Sequence, residues 1–428
     1  MPSAKRAQPR RRTARHKHLL GRKRISRAAL AVASRLREEG YDGLLVGGCV
    51  RDLLLGRAPK DFDVVTNATP EEAVRMFRRA PKFHARKIGR RFRLVMVRTG
   101  GGTVEVSTYR KGGDQRRLAA DGSGRILEDN VYGSREQDAL RRDFTVNALY
   151  FDPAAGEVID DVNGVEDVER RVLRCIGEPA VRYREDPVRM LRAIRFAALL
   201  DLNMEADTAR PIHALGGLLD SIPPPRRFDE MVKMMHSGGA ARIMKRLREY
   251  PLFDSLLPLT SRCMRSRPGG FAARVVPAAM QNTDLRIRQG KPVIAAFLFV
   301  VLLWEPLQLA LGKSRGRGGA SRFEHAADQV LAEQAGFTAL SRHVCKRVKD
   351  IWALQKTLEH PPAAAAAVAV IAQPYFRAAY DFLLLRAGAE RELRAAADFW
   401  TEAQEAAPAA VVAPPGRRFR SRRRRRRG

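Results

Sequence analysis

Asp61 and Asp63 are separated by a single residue, and a Gly-Gly pair stands shortly before them in Gly47-Gly48-Cys49-Val50-Arg51-Asp52, all within 17 residues. On a strand, residues i and i+2 face the same side, so the two aspartates are expected to present their carboxylates together. That arrangement suits a pair of Mg²⁺ ions ~3.5–4 Å apart, of the kind that activates a hydroxyl and stabilises a leaving pyrophosphate. Glycines let a triphosphate approach the backbone closely, and a helix starting near Val50 offers free N–H groups. Arg51 adds a positive charge beside Asp52. Further on, Glu105 lies between Val104 and Val106. A strand turns it away from those two valines, which fits a third metal ligand and equally fits an exposed strand glutamate.

A second constellation begins at Asp186-Pro187, a good N-cap and first-turn pair. Val188, Leu191, Ile194 and Ala198 form an apolar stripe on the helix that follows, while Arg189, Arg192 and Arg195 recur on another face. This pattern fits a capped, solvated helix. It equally fits a nucleobase site in which Asp186 accepts from an exocyclic amine and Arg189 donates to the neighbouring ring nitrogen. Adenine and cytosine carry that edge, and guanine and uracil carry its opposite. The pair therefore leaves ATP and CTP unseparated.

The elements that must hold these residues follow from the local pattern. A helix is expected over 26–37, a buried strand at 44–46, a helix from Val50 to Leu55 and a strand from Phe62 to Val65. Thr69-Pro70-Glu71-Glu72 opens another helix with a capping box and a proline in its first turn. Strands are expected over 91–98 and 103–110, a mobile loop over 111–133, one helix from Ser134 to Tyr150, and an extended pair at 157–160 and 172–176. Beyond Tyr183 the chain reads as helical. The outline is an α/β head of about 155 residues followed by an all-α tail of about 230.

Charge narrows the class of partner. The net charge is +32; residues 1–25 hold ten Lys or Arg, residues 417–428 hold nine Arg, and neither segment holds an acid. Two basic tails on a basic body point to a polyanion. The longest apolar run, Val293 to Trp304, is shorter than the ~20 residues of a membrane span, so a buried helix is expected there. Cys49, Cys175, Cys263 and Cys345 lie 82 to 126 residues apart, which suits neither a zinc site nor a disulfide framework and favours a reducing, cytoplasmic setting. The eight histidines are scattered, and no Ser-His-Asp or Cys-His arrangement suggests covalent catalysis. Trp304, Trp352 and Trp400 lie in apolar helical contexts and are expected in the core.

The motifs GGCVRDLLLG (47–56) and DFD (61–63) resemble those of the class II nucleotidyltransferases, which comprise bacterial poly(A) polymerases and tRNA CCA-adding enzymes. RRDFTVNALY (141–150) resembles the motif that holds the ribose and positions the base. The resemblance therefore implies nucleotide-binding roles for Arg142, Asp143 and Asn147. YREDPVRMLRAIRFAA (183–198) resembles the motif at the start of the family's neck, where Asp186, Arg189 and Arg192 join the nucleotide set. The segment IGRRFRL (88–94), followed by Val95-Met96-Val97 in place of the usual His-Val, resembles the poly(A) polymerase branch, as do NTDLRI (282–287), KDIWALQ (349–355) and FRAAYDFLLLRA (376–387).

The fold implied is an α/β nucleotidyltransferase head, a small mixed sheet with helices, followed by an all-α neck, body and tail. The implied divisions are a basic disordered tail at 1–25, the catalytic head at 26–180, a base-recognising neck at 181–240, an RNA-binding body at 241–410 and an Arg-rich disordered tail at 411–428. The implied activity is template-independent addition of AMP from ATP to RNA 3′ ends. Asp61, Asp63 and Glu105 would hold two Mg²⁺ ions, replaceable by Mn²⁺, and Gly47, Gly48, Arg51 and Asp52 would lie at the nucleotide. Further expected partners are RNA-degradation enzymes or an RNA chaperone, with the chain itself a monomer. The alternatives are CCA addition to tRNA and an RNA-binding protein with an inactive head.

Overall fold

A computed structural model describes residues 11–13, 20, 22–89, 94–111, 131–313 and 319–407. The chain divides into two compact units, Met1–Leu218 and Leu219–Gly428. The division falls inside the stretch expected to form a neck, 181–240. The IGRRFRL segment is described only at its two ends, and the loop expected over 111–133 and the Arg-rich tail lie largely outside the described residues.

The first unit is built on an eight-stranded sheet of order β1-β8-β7-β2-β3-β6-β5-β4. Its strands are β1 (Arg11–Thr13), β2 (Leu44–Val46), β3 (Asp63–Thr66), β4 (His84–Ile88), β5 (Leu94–Thr99), β6 (Gly102–Thr108), β7 (Leu149–Asp152) and β8 (Glu157–Asp160). The β3–β6 pair is parallel and the other pairs are antiparallel, so the sheet is mixed. The helices are α1 (Arg27–Glu38), α2 (Gly48–Leu54), α3 (Pro70–Arg78), α4 (Arg135–Arg141), α5 (Gly164–Glu169), α6 (Pro179–Glu185), α7 (Val188–Leu200) and α8 (Ala206–Leu215). A two-residue pair, β9 (Val172–Leu173) with β10 (Asn203–Met204), links the region after α5 to the end of α7.

Strand alternation explains how the central strands are seated. Val64, Val95, Val97, Val104 and Val106 are at most 2% exposed. They line one face of β3, β6 and β5, against which α1 and α3 pack. The α3 helix starts where its sequence requires: the Thr69 hydroxyl accepts from the Glu72 N–H, and the Glu72 carboxylate accepts from the Thr69 N–H, with Pro70 in the first turn.

Two expectations are corrected. The helix expected over 134–150 ends at Arg141. Asp143 Oδ1 takes the Phe144 N–H, and β-branched Thr145 and Val146 follow in a single 3₁₀ turn, so the chain is released in time for Leu149–Asp152 to pair with β2 and β8. The segments near 157–160 and 172–176 are not partners of each other. The first pairs with β7 and β1, and the second pairs with β10. Strand β4, with the sequence HARKI, alternates too weakly to be read as a strand from the sequence.

The second unit is helical among its described residues, from α9 (Pro224–Met235) to a last helix at Arg394–Ala406. The long apolar run becomes Ala295–Leu302, whose residues from Ala296 onward are at most 7% exposed. Among the described residues no single helix is long and apolar enough to cross a membrane; Ala295–Leu302 and Trp304–Lys313 reach that length only together, with a 48° bend between them. Trp304, Trp352 and Trp400 are all buried in this unit.

Candidate active site

Asp63 opens β3, directly opposite Glu105 on the parallel strand β6, and partners in that register point to the same face of the sheet. Asp61 lies in the approach to β3 rather than in the strand. The three acids are nonetheless close enough to repel one another: Asp61 raises the pKa of Asp63, and both aspartates raise that of Glu105. Desolvation is the larger cause in each case. Glu105 is half-buried between the sunken Val104 and Val106, and Asp63 is open to water on its outer side but backed by packed sheet on the other.

The Gly-Gly loop sits beside these acids. Gly47 has φ +73°, a left-handed conformation that a side chain would strain. A Cβ there would also come within 3.2 Å of Arg142 Nη1 and 3.5 Å of the Asn147 carbonyl oxygen. The Gly47 N–H donates to the Leu149 carbonyl at 2.9 Å, fastening the loop to β7. Gly48 begins α2, and a Cβ there would meet Arg51 Nη2 at 3.6 Å.

Five of the expected residues form one chain of ion pairs and hydrogen bonds. Arg51 is 7% exposed and donates to Asp52 Oδ1 at 2.7 and 2.8 Å and to Asn147 Oδ1 at 2.5 Å. Asn147 Nδ2 donates to Asp143 Oδ1 at 3.2 Å, and Asp143 Oδ2 accepts from Arg192 at 2.6 and 2.7 Å. The network thus ties α2, the turn after α4, and α7 together. The Phe196 ring lies under the guanidiniums of Arg51, Arg192 and Arg195 at 5.3, 5.6 and 4.5 Å. Burial alone would raise the Asp143 carboxyl, but Arg192 and the hydrogen bond from Asn147 hold it below the ordinary carboxylate range.

Asp186 and Arg189 stand at the junction of α6 and α7. Asp186 Oδ1 accepts the Val188 N–H at 3.2 Å, as expected of a residue that starts a helix. Arg189 Nη1 donates to Glu185 Oε2 at 3.0 Å and to the Arg182 carbonyl at 2.9 Å.

Three neighbours have no role assigned from the sequence: Asp138, Phe196 and Glu185, although Glu185 opens the Glu-Asp-x-x-Arg motif. Asp138 is 2% exposed and accepts from Arg142 Nε and Nη2 at 3.1 and 2.9 Å. The i, i+4 spacing of Asp138–Arg142 and Glu185–Arg189 is a readable signal for both acids; nothing in the local pattern singles out Phe196.

Residues 44–174 match the family described as the Poly A polymerase head domain, residues 201–264 the probable RNA and SrmB-binding site of polymerase A, and residues 317–428 the polymerase A arginine-rich C-terminus. The chain is 42% identical over 404 residues to Poly(A) polymerase I of Salmonella typhimurium, a match covering 92% of this chain and 86% of that one. The chain belongs to the bacterial poly(A) polymerase family. Its likeness to the CCA-adding enzyme of Geobacillus stearothermophilus is lower and shorter, 38% over 275 residues, covering 63% of this chain and 65% of that one. Among solved structures, the apo form II of a CCA-adding enzyme superposes with a TM-score of 0.61 at 20% identity, covering 92% of this chain and 87% of that one. That likeness extends the shared fold beyond the poly(A) polymerases.

Poly(A) polymerase chemistry uses a divalent metal, and the acids can be tested against it. Among the described residues no group of three or more His, Cys, Asp or Glu side chains forms a ready-made cage. Mg²⁺ does not need one, because it keeps several waters and is held by one or two carboxylates together with substrate phosphates. Asp63 and Glu105, facing the same side with Asp61 close by, fit that demand.

The raised pKa values carry a consequence for stability. A carboxyl whose folded pKa lies above its unfolded value is costless to the fold below the unfolded pKa, about 3.9 for Asp. The stability it holds there is lost as pH rises through the folded pKa. The acid cluster therefore weakens the metal-free protein near neutral pH, and a cation between the carboxylates offsets the loss. Millimolar Mg²⁺ should raise the melting temperature of the nucleotide-free protein at pH 7.5, and the increment should shrink in Asp63→Asn. An equal increment in both proteins would place the ion elsewhere.

Proposed function

We propose that this chain extends RNA 3′ ends with AMP from ATP, without a template, using a pair of divalent ions held by Asp61, Asp63 and Glu105. The observation that carries the reading is the opposition of Asp63 and Glu105 on parallel strands, beside a Gly-Gly loop whose first glycine has φ +73° and lies against Arg142. Bound ions supply an activated terminal hydroxyl and neutralise the charge of the departing pyrophosphate.

The chain's own groups do the rest. Gly47 and Gly48 let the triphosphate lie close to the backbone. Arg142, at the same loop, supplies positive charge toward the nucleotide, while Asp143, Asn147 and Arg192 set the sugar and base between the head and α7. Arg51 and Asp52 brace that network from below. Asp186 and Arg189 read the base edge, with Glu185 holding the Arg189 guanidinium in place.

The preference for adenylate over CCA addition is supported by the higher identity and wider coverage of the Poly(A) polymerase I match and by the match to the arginine-rich C-terminus. The segment 201–264 and the basic C-terminal region would hold RNA through phosphate contacts, which makes binding steeply salt-dependent. We place this activity in the cytoplasm, with RNA-degradation enzymes or an RNA chaperone as further partners of a monomer.

The test offers each NTP singly, with Mg²⁺, to an oligo(A) primer and to a tRNA lacking its 3′ end. Long ladders from ATP alone are expected. Growth limited to two or three nucleotides and dependent on CTP would replace the reading with CCA addition.

A further inference from the structure

The catalytic acids are part of a wider row of side chains. Across the sheet, Asp63 registers with Glu105, Glu105 with Met96 on β5, and Met96 with Arg86 on β4. All four project from one face, opposite the valines that pack against α1 and α3. The next row on the same face is Thr103, Arg98 and His84. Arg86, Arg98, His84 and Thr103 are exposed, and Met96 and Glu105 are half-buried.

Three basic groups on one open face require a reason. His84 lies directly opposite Arg98, and Arg86 lies diagonal to it; the two guanidiniums so placed oppose strand pairing. Arg86 and Arg98 make no ion pair among the described residues, whereas Lys87, on the covered face, is paired with Glu71 at 2.9 Å. Edge strands often carry cations that discourage aggregation, which would account for Arg86 on the edge strand β4. It does not account for Arg98, because β5 lies inside the sheet.

We propose that this open face of β4, β5 and β6 is the landing surface for the last nucleotides of the RNA primer. Arg86 and Arg98 grip the phosphates, and Met96 is the apolar floor between them and the metal-binding acids. The surface is continuous with the acids to which the primer's 3′ hydroxyl must come. Strands lie ~4.8 Å apart, so Arg86, two strands from Glu105, is roughly 10 Å from it. That distance suits contacts to the first nucleotides behind the reacting end.

The inference rests on the reading of the chain as an RNA-extending enzyme, and the experiment separates the two. Steady-state extension of oligo(A) is measured for the wild type, for Arg86→Ala/Arg98→Ala, and for Lys87→Ala as a cation-removing control on the covered face. The double variant should raise the KM for primer about tenfold and leave the KM for ATP within about twofold. It should also reduce the slope of log affinity against log salt by about 1.4, the share of two single-strand phosphate contacts. Lys87→Ala should match the wild type.

An unchanged primer KM in the double variant, or an equal rise in both KM values, overturns the landing surface while leaving the function intact. Failure of the wild type to extend oligo(A) overturns the function itself. Met96→Trp gives a reading independent of the double variant's folding: its fluorescence should be quenched by oligo(A) and not by ATP, and the absence of quenching by oligo(A) counts against the proposal.

Discussion

Replacing Asp63 with asparagine should lower kcat for AMP addition by about 10³-fold or more, while the nucleotide-free protein melts no lower than the wild type. The first half follows from position. Asp63 faces Glu105 across β3 and β6 and is the acid that binds the cluster electrically, since it acts on Glu105 and is acted on by Asp61. An amide keeps the shape but loses the charge with which, on the proposed reading, Asp63 would hold a divalent ion for the reaction. A loss of ~4 kcal/mol of transition-state stabilisation corresponds to about 10³ in rate. The second half follows from the raised pKa: at neutral pH the ionised carboxyl costs stability in the absence of metal, and asparagine removes that cost. Single-turnover extension and thermal melts of the same preparations check both halves. A variant retaining a tenth of wild-type kcat would show that Asp63 does not hold the reacting metal.

How much of this arrangement was legible depended on whether the governing interaction was local. The capping box at Thr69, the apolar stripe of α7 and the burial of the three tryptophans are set by nearby residues or by simple hydrophobicity, and they read directly from the chain. The alternation around Glu105 also gave its direction on the strand. Its partner did not show, because the parallel pairing of β3 with β6 joins residues more than forty positions apart. The i, i+2 pattern places Asp61 on a strand with Asp63, yet β3 starts only at Asp63, two residues later. The helix expected over 134–150 failed for a similar reason. Residues 145–151 have enough apolar content for a helix, but Asp143 caps its own neighbour and the sheet claims Leu149–Asp152. The network from Asp52 to Arg192 is the least legible part. It is made of contacts between three motifs, and each motif shows only its own residues.

Asp138 lies at the centre of a comparable network and supports the strongest prediction for stability. Its carboxylate is 2% exposed and accepts from the Arg110 N–H at 3.2 Å, Arg141 Nε at 3.1 Å, Arg142 at 3.1 and 2.9 Å and the Tyr150 hydroxyl at 2.8 Å. Tyr150 is also faced by the guanidiniums of Arg135 and Arg142. Asp138→Ala leaves these donors without their shared acceptor. Breaking a buried charge pair from one side costs about 3–5 kcal/mol, which for a unit of this size is a fall in melting temperature of roughly 10 °C. Asp138→Asn should cost less, because one oxygen still accepts, but it releases the Arg142 guanidinium from its aim at the Asn147 carbonyl and the Gly47 loop. The ATP kcat/KM should then fall about a hundredfold while the primer KM stays within about twofold. The pH dependence separates charge from packing. Burial would raise the Asp138 carboxyl, but Arg142, Arg141 and the Tyr150 hydroxyl hold it below the ordinary value. Its contribution is therefore fully present above the unfolded pKa of about 3.9 and is lost as pH falls through the lower folded value. Denaturant melts should show the full deficit of Asp138→Asn at pH 7, narrowing once the pH drops below about 4. A deficit that stays constant across that range would mean that Asp138 holds Arg142 by shape alone.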